Sequence, residues 1–421
     1  MSSLRHWLWL ATRGSAPGMY AMRLLEHFGT PESVYHADKE AYNRVEGLPS
    51  RVRKALLDKS LDQADHILHQ CEELGVRVLT IQDADYPQRL SQLSAPPCVL
   101  YVKGTLPQVD QEAAITLVGA RQASPYGVMT ARRLGLDLAR QGALVVSGTA
   151  RGIDTAALEG ALSGGGKVLA VLGCGIDVVY PWGREDLYSD VAAAGALLSE
   201  YPPGTPPLGS HFPVRNRLLA GLSLGTVVVE GTESSGSLIT ARWALESDRD
   251  VFAVPGNIDV PLSRGPNGLI RRGEAKLIQD AWDILEEYEF LYPAKLHPRA
   301  PLPPQAEQAR LNVPVSAPKT AEPKREEVQP QPEKLVLDLR KDPEACTDDE
   351  AALLRALQGE VTRTADDLVE ETGIPARRVM SALTMLQVRQ LVKQHPGRGY
   401  EALVLLKEET TDRRGTPGLK P

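Results

Sequence analysis

Apolar residues in this chain keep one spacing up to about residue 70 and another from there to about 290. Large apolar residues then become sparse until about 345. In the first stretch they recur at helical intervals, over 4–10, 21–28, 31–37, 50–57 and 61–74. Residues 76–80 and 99–104 then read as strands, with a turn and a short helix over 86–93 between them. From Ala114 the rhythm is strand then helix. Apolar runs fall at 115–118, 143–147, 167–172, 197–200, 226–230 and 251–254. Helical spacing follows over 126–141, up to Ser163, over 184–194 and up to about Ser247. Unbroken apolar strands are those of a parallel sheet covered on both faces. A last amphipathic run, 277–289, closes this part. The pattern predicts an α/β fold.

Residues 293–345 are rich in Pro, Glu, Lys, Gln and Ala and read as a disordered or semi-extended linker. Beyond it Thr347 caps a helix to 357, Thr364 caps one over 365–371, and Pro375 begins a third to 390. Strands at 391–394 and 400–405 flank His395-Pro396-Gly397-Arg398-Gly399. Three helices and a β-wing make a winged helix. The division expected is therefore 1–70 helical, 71–292 α/β, 293–345 linker, 346–406 winged helix and 407–421 disordered tail.

Length fits two or three domains at 421 residues, and an apolar fraction of 42% allows a sizeable core. The net charge of −7 removes any global basic field, so nucleic-acid binding needs a local patch. Cys71, Cys98, Cys174 and Cys346 are scattered, against zinc and disulfides and in keeping with a reducing cytoplasm. The start shows no secretory signal, and no stretch is apolar enough to span a bilayer.

Three strands end in loops containing Gly119, Gly148 and Gly231. Strand C-termini line the ligand crevice of open parallel sheets, so Arg121, Arg151 and the pair Arg215/Arg217 are expected to converge there. The stretch 211–256 carries most of the chemistry. It reads as a basic turn at Arg215-Asn216-Arg217 that opens a short apolar helix, a strand, a loop of small residues from Gly231 to Ser237, and a helix opening from that loop near Ser235-Gly236. Free N–H groups at such a helix start hold anions, and the Arg fork fits phosphate oxygens. Phe212 offers a ring on which a base can stack. Asp154 reads as a helix cap. Glu230 and Glu233 serve either as a hydrolytic carboxylate pair or to order the loop, the second favoured. Gly164-Gly165-Gly166-Lys167 precedes a strand rather than a helix, so it is no P-loop. Gly173-Cys174-Gly175 lacks the third glycine of a dinucleotide fingerprint. Residues 45–49, Val-Glu-Gly-Leu-Pro, form a turn between helices, ordinary or of the helix-hairpin-helix kind. No metal-ligand cluster and no nucleophile elbow is present.

Four segments in order resemble the DNA-processing protein A (DprA/Smf) family. They are Val118-Gly119-Ala120-Arg121 with Tyr126-Gly127, the run Ser147 to Asp154, Phe212 to Arg217, and Ser235 to Ala241. Tyr86-Pro87 and the run from Pro96-Pro97 to Gly104 match the family's lead-in. The resemblance implies an extended Rossmann-like domain, an N-terminal SAM-like helical domain and a C-terminal winged helix. It implies sequence-independent binding and protection of single-stranded DNA, RecA loading in natural transformation, dimers through the Rossmann-like domain, no cofactor and no catalysis. Gly119, Ala120, Arg121, Phe212, Arg215, Asn216 and Arg217 match motif positions of the single-strand pocket. Gly148, Arg151, His211, Ser235 and Gly236 are added from their place in the crevice, His211 standing where relatives often have lysine. Arg121→Glu or Arg215→Glu is expected to weaken binding with the fold intact. Arg377, Arg378, Arg389, Lys393 and Arg398 are candidates for duplex phosphates. The alternative is a lysine-decarboxylase-like phosphoribohydrolase, whose Gly-Thr loop Glu230-Gly231-Thr232-Glu233 imitates without the double-glycine lead.

Overall fold

The structure, a computed structural model, describes residues 4–13, 20–299, 335–338, 346–358, 363–389, 391–394 and 399–407. Most of the expected linker, Arg398 and the expected tail beyond Lys407 lie outside the described residues, as does the side chain of Arg377. The chain divides into two compact units, one up to Thr320 and one from Ala321.

The first unit begins with helices α1 (Leu4–Ala11), α2 (Ala21–Phe28), α3 (Pro31–His36), α4 (Lys39–Asn43), α5 (Ser50–Ala55) and α6 (Asp62–Glu73). Their buried faces, including Trp7, Trp9, Tyr42, Leu56 and Ile67, join one apolar cluster with Tyr101 and Ile115 of the sheet. The helical region therefore shares a core with the α/β part.

The sheet holds β1 (Arg77–Thr80), β2 (Val99–Gly104), β3 (Ala114–Val118), β4 (Leu144–Ser147), β5 (Val168–Leu172), β6 (Ala196–Ser199), β7 (Gly225–Val228), β8 (Asp250–Ala253) and β9 (Lys276–Leu277). Their order is β1-β2-β6-β5-β4-β3-β7-β8-β9. From β6 to β9 neighbours run parallel, while β1-β2 and β2-β6 pair antiparallel. Every residue of β3, β4, β5, β6 and β7 is buried, as two-sided covering requires. A short helix α7 (Gln88–Ser91) precedes β2. The covering helices include α8 (Pro125–Arg140), α9 (Ile153–Ser163), α10 (Glu185–Ala194), α11 (His211–Leu222) and α12 (Gly236–Glu246), with α13 (Arg264–Arg271) and α14 (Trp282–Leu285) after β8.

Two expected boundaries shift in this unit. The run 277–289 is not one helix. Residue Leu277 completes β9, and Asp280 accepts from the N–H groups of Trp282 and Asp283, so the helix starts late and lasts one turn. The linker does not begin at 293. Lys295 pairs with Glu112 at 2.9 Å, Leu296 is buried, and the His297 N–H donates to the Gln141 carbonyl.

In the second unit α15 (Asp348–Ala356) opens with a reciprocal cap between Thr347 and Glu350. Helices α16 (Ala365–Thr372) and α17 (Ala376–Val388) follow, with Leu353, Leu368, Leu383 and Leu386 at the core. Strand β10 (Leu335–Asp338) lies within the expected linker and pairs in parallel with β14 (Val404–Lys407). Strand β13 (Gly399–Ala402) pairs with β11 (Arg363–Thr364) and β12 (Val392–Gln394). The single strand expected at 400–405 is thus two, broken at Leu403. Among the described residues no helix is long and apolar enough to cross a membrane.

Candidate functional site

A crevice of about 630 Å³ opens at the C-terminal ends of β3, β4 and β7. Its walls come from the β3–α8 loop, the start of α9, the first half of α11 and the first turns of α12. Of the expected site residues it gathers Gly119, Ala120, Arg121, Phe212, Arg215, Asn216, Ser235 and Gly236. Gly148, Arg151, His211 and Arg217 are not among its lining.

Glu230, at the end of the β7 run, shapes the first wall. Its carboxylate accepts from the Ser124 N–H (2.9 Å) and hydroxyl (2.6 Å), and its carbonyl from the Ala120 N–H. The loop it orders is the one after β3, not the small-residue loop. A Cβ on Gly127 would lie 2.2 Å from this carboxylate, which explains glycine there. Held this way, exposed Arg121 lays its guanidinium 4.8 Å from the Phe212 ring centre.

Arg215 forms the floor. It is 4% exposed, donates to the Val171 carbonyl, and stands 5.9 Å from the Phe212 ring centre. Gly148 belongs to this arrangement from behind: a Cβ there would come within 2.4 Å of both Arg215 and Asp154. Asp154 is not the cap of α9, since Gly152 occupies the cap position with no side-chain bond. Its carboxylate is buried against the crevice, takes the Ala150 and Gly119 N–H groups, and faces Arg215 and Arg121. Burial pushes its pKa up to about 6, against the pull of the two arginines.

Segment 215–217 is not a turn. It lies inside α11, where residues two apart diverge by roughly 200° around the axis. Arg217 therefore points away from Arg215, into a buried ion pair with Glu200 at 2.7 Å and a bond to the Ala95 carbonyl at 3.0 Å. Asn216 donates to the Gly236 carbonyl at 3.2 Å, joining α11 to α12. His211 starts α11, stacked on Tyr201 at 4.2 Å with its Nδ1 3.2 Å from the Gly173 carbonyl. Phe212 is 9% exposed, packed against Tyr180 at 5.4 Å, so it seats the arginines more than it offers an open face. Arg151 is exposed on the loop after β4.

The second wall is the start of α12. Ser235 stands at its cap position, but its hydroxyl accepts from the Thr232 N–H at 2.8 Å and gives the helix no cap. No side chain caps the first turn of α12, where the Leu238 N–H donates to the Ser235 carbonyl and the Gly236 and Ser237 N–H groups are left to a ligand, the condition for anion binding. Ser237 Oγ, Thr240 Oγ1 and Arg215 Nε, all buried, have no hydrogen-bond partner among the described residues. Ser237 and Thr240 were not singled out in the sequence. Their three-residue spacing from a helix start puts them on one face, a signal available once the helix is located. Glu230 and Glu233 do not form a carboxylate pair over the crevice, because Glu230 is turned to Ser124. Among the described residues no cluster of His, Cys, Asp or Glu fits a metal ion.

In the C-terminal unit Arg378 makes two 2.8 Å bonds to Asp349, and Arg389 bonds Glu350 at 3.3 Å. These two brace α15 rather than face a ligand, whereas Lys393 is exposed.

Taken together, fold and crevice define a Rossmann-like α/β protein with an arginine-floored crevice at its strand ends and a separate winged helix. Family models match the chain at residues 77–289, described as DNA recombination-mediator protein A, and at 329–398, described as the DprA winged helix domain. The chain belongs to the DNA recombination-mediator protein A (DprA/Smf) family. Protein Smf of Synechocystis is 32% identical over 95% of this chain and 99% of its own length. The DNA processing protein DprA of Streptococcus pneumoniae is 43% identical over 50% of this chain and 74% of its own length. The X-ray structure of the pneumococcal protein superposes with a TM-score of 0.59 at 33% identity, covering 68% of this chain and 99% of that one.

The Asp154 titration predicts a pH dependence. Above about pH 6 its carboxylate offsets part of the arginine charge, and below that value it is neutral. Affinity for an anionic strand is expected to rise several-fold as pH falls through 6. Binding constants across this range, for wild type and Asp154→Asn, test it. A wild-type profile no steeper than that of Asp154→Asn would assign the change to another group.

Proposed function

We propose that the protein binds single-stranded DNA without sequence preference through the crevice, protects it, and promotes RecA loading during transformation or recombination in the cytoplasm. The observation that carries this reading is the pairing of Arg121 and Arg215 with the open start of α12. Two forked cations and the buried, unpartnered Ser237 Oγ and Thr240 Oγ1 line one crevice of about 630 Å³. Base-edge readout needs a groove-reading element, which the crevice does not present. The site residues proposed are Gly119, Ala120, Arg121, Arg215, Asn216, Ser235 and Gly236 in contact, with Gly148, Phe212 and Asp154 in support. The body over about 71–292 works as a homodimer, and the winged helix, with Lys393 exposed, contacts duplex. The phosphoribohydrolase alternative loses its main support with Glu230 committed to Ser124, and no catalysis is proposed.

Titration of the full chain with an oligothymidylate over a salt series tests the reading, with a RecA filament assay in parallel. Two clamped phosphates predict a log–log salt slope of about −1.4 or steeper. A binding constant unchanged by salt would remove the phosphate clamp. Release of free base from a nucleoside monophosphate would restore the hydrolase.

A further inference from the structure

Beyond the crevice, Phe290, Trp182 and Tyr126 are the exposed large aromatic side chains among the described residues, and Trp182 is the one carried on a loop whose Tyr180 packs against the crevice. Trp182 is 72% exposed, while Trp7 and Trp9 are buried and Trp243 and Trp282 are partly covered. It follows Tyr180-Pro181 in the connection between β5 and α10.

The loop that carries it is held from both sides. The Tyr180 carbonyl accepts from the Thr149 hydroxyl at 2.9 Å and from the Tyr188 hydroxyl at 3.0 Å. On the other side Arg184 bonds Glu159 at 3.0 Å. The indole is therefore presented from a fixed frame, which lowers the ordering cost of a partner. The frame also touches the crevice, since Tyr180 packs on Phe212. Trp182 is two residues from Tyr180, and Arg151 two residues from Thr149, so one hydrogen bond ties both to the same rim. Each lies within about 7 Å of that bond along its own chain.

We propose that Trp182 is a stacking platform for a nucleobase of the strand held in the crevice, a nucleotide or two further along, with Arg151 on the intervening phosphate. This deepens the proposed function and rests on it. The chemistry favours a nucleobase over an apolar protein surface: exposed Arg151 is tied to the same rim, and every base has a face to stack. It also gives a place to Arg151, which the fold leaves outside the crevice, and supplies the open aromatic face that Phe212 lacks.

The indole itself reports. The full chain is titrated with oligothymidylates of increasing length, and with an abasic deoxyribose-phosphate strand of equal length. Thymidylate is expected to quench tryptophan emission and the abasic strand is not. Trp182→Ala is expected to weaken binding of the longer thymidylates by about 5- to 100-fold and leave the shortest bound oligomer unchanged. Trp182→Phe is expected to retain most of the affinity. Binding that depends on Arg121 but is indifferent to Trp182→Ala, with no quenching, would overturn the platform and keep the crevice. No binding by the wild type would overturn both. If sedimentation shows that Trp182→Ala loses affinity only through loss of dimer, the ring is a subunit contact and the platform fails.

Discussion

Arg121→Glu is expected to weaken single-strand binding by about 100-fold or more while leaving the unfolding transition in place. A hydrogen bond to a charged group contributes about 1.5–3 kcal/mol, repulsion from the new carboxylate adds to the loss, and about 1.4 kcal/mol is tenfold. Arg121 is exposed, and its contact with the fold is the Phe212 ring at 4.8 Å. Arg215→Glu is a different experiment, contrary to what the motif alone predicts. Arg215 is 4% exposed, donates to Val171 and faces Asp154, so the change sets two carboxylates together in a buried site. That variant is expected to lose its fold, and its loss of binding says nothing about phosphate contact. Gel shifts and circular dichroism on both variants decide. Ordinary affinity in folded Arg121→Glu would sink the clamp.

The contrast between these two arginines shows where the sequence was legible. The parallel strands were, because covering on both faces forces unbroken apolar runs such as Ile115 to Val118. The convergence of Gly119 and Arg121 with the α12 start was legible too, because strand C-termini share one edge whatever the strand order. The inward or outward sense of each arginine was not. That depends on helix phase, and a basic triplet taken for a turn gives no phase. Once α11 is seen to start at His211, the opposite fates of Arg215 and Arg217 follow from the pitch. Asp154 was misread for a related reason: an acid near a helix start looks like a cap until the partner brought from Arg215, 61 residues on, is known. Strand β10 was hidden because its few apolar residues sit in polar, proline-rich sequence and its partner β14 is remote.

Arg217, read from the motif as a DNA contact, is expected to behave as a stability residue. Its side chain is 5% exposed and that of Glu200 2%, at 2.7 Å. Removing one member of such a pair leaves the other buried and unpaired, at a cost of about 3–5 kcal/mol. Arg217→Ala is therefore expected to unfold at distinctly lower urea, with near-normal single-strand affinity at temperatures where it remains folded. Burial already raises the Glu200 pKa and Arg217 opposes that rise, so without Arg217 it rises further. An acid whose folded pKa lies above its unfolded one stabilises the fold at low pH and loses that contribution as pH climbs through the folded value. The deficit of Arg217→Ala should therefore shrink on acidification, and adding Glu200→Gln should recover part of it at neutral pH. Urea melts of the single and double variants at acid and neutral pH measure both effects. Wild-type stability combined with weakened DNA binding would instead return Arg217 to the strand, and would require α11 to turn about its axis when the strand binds.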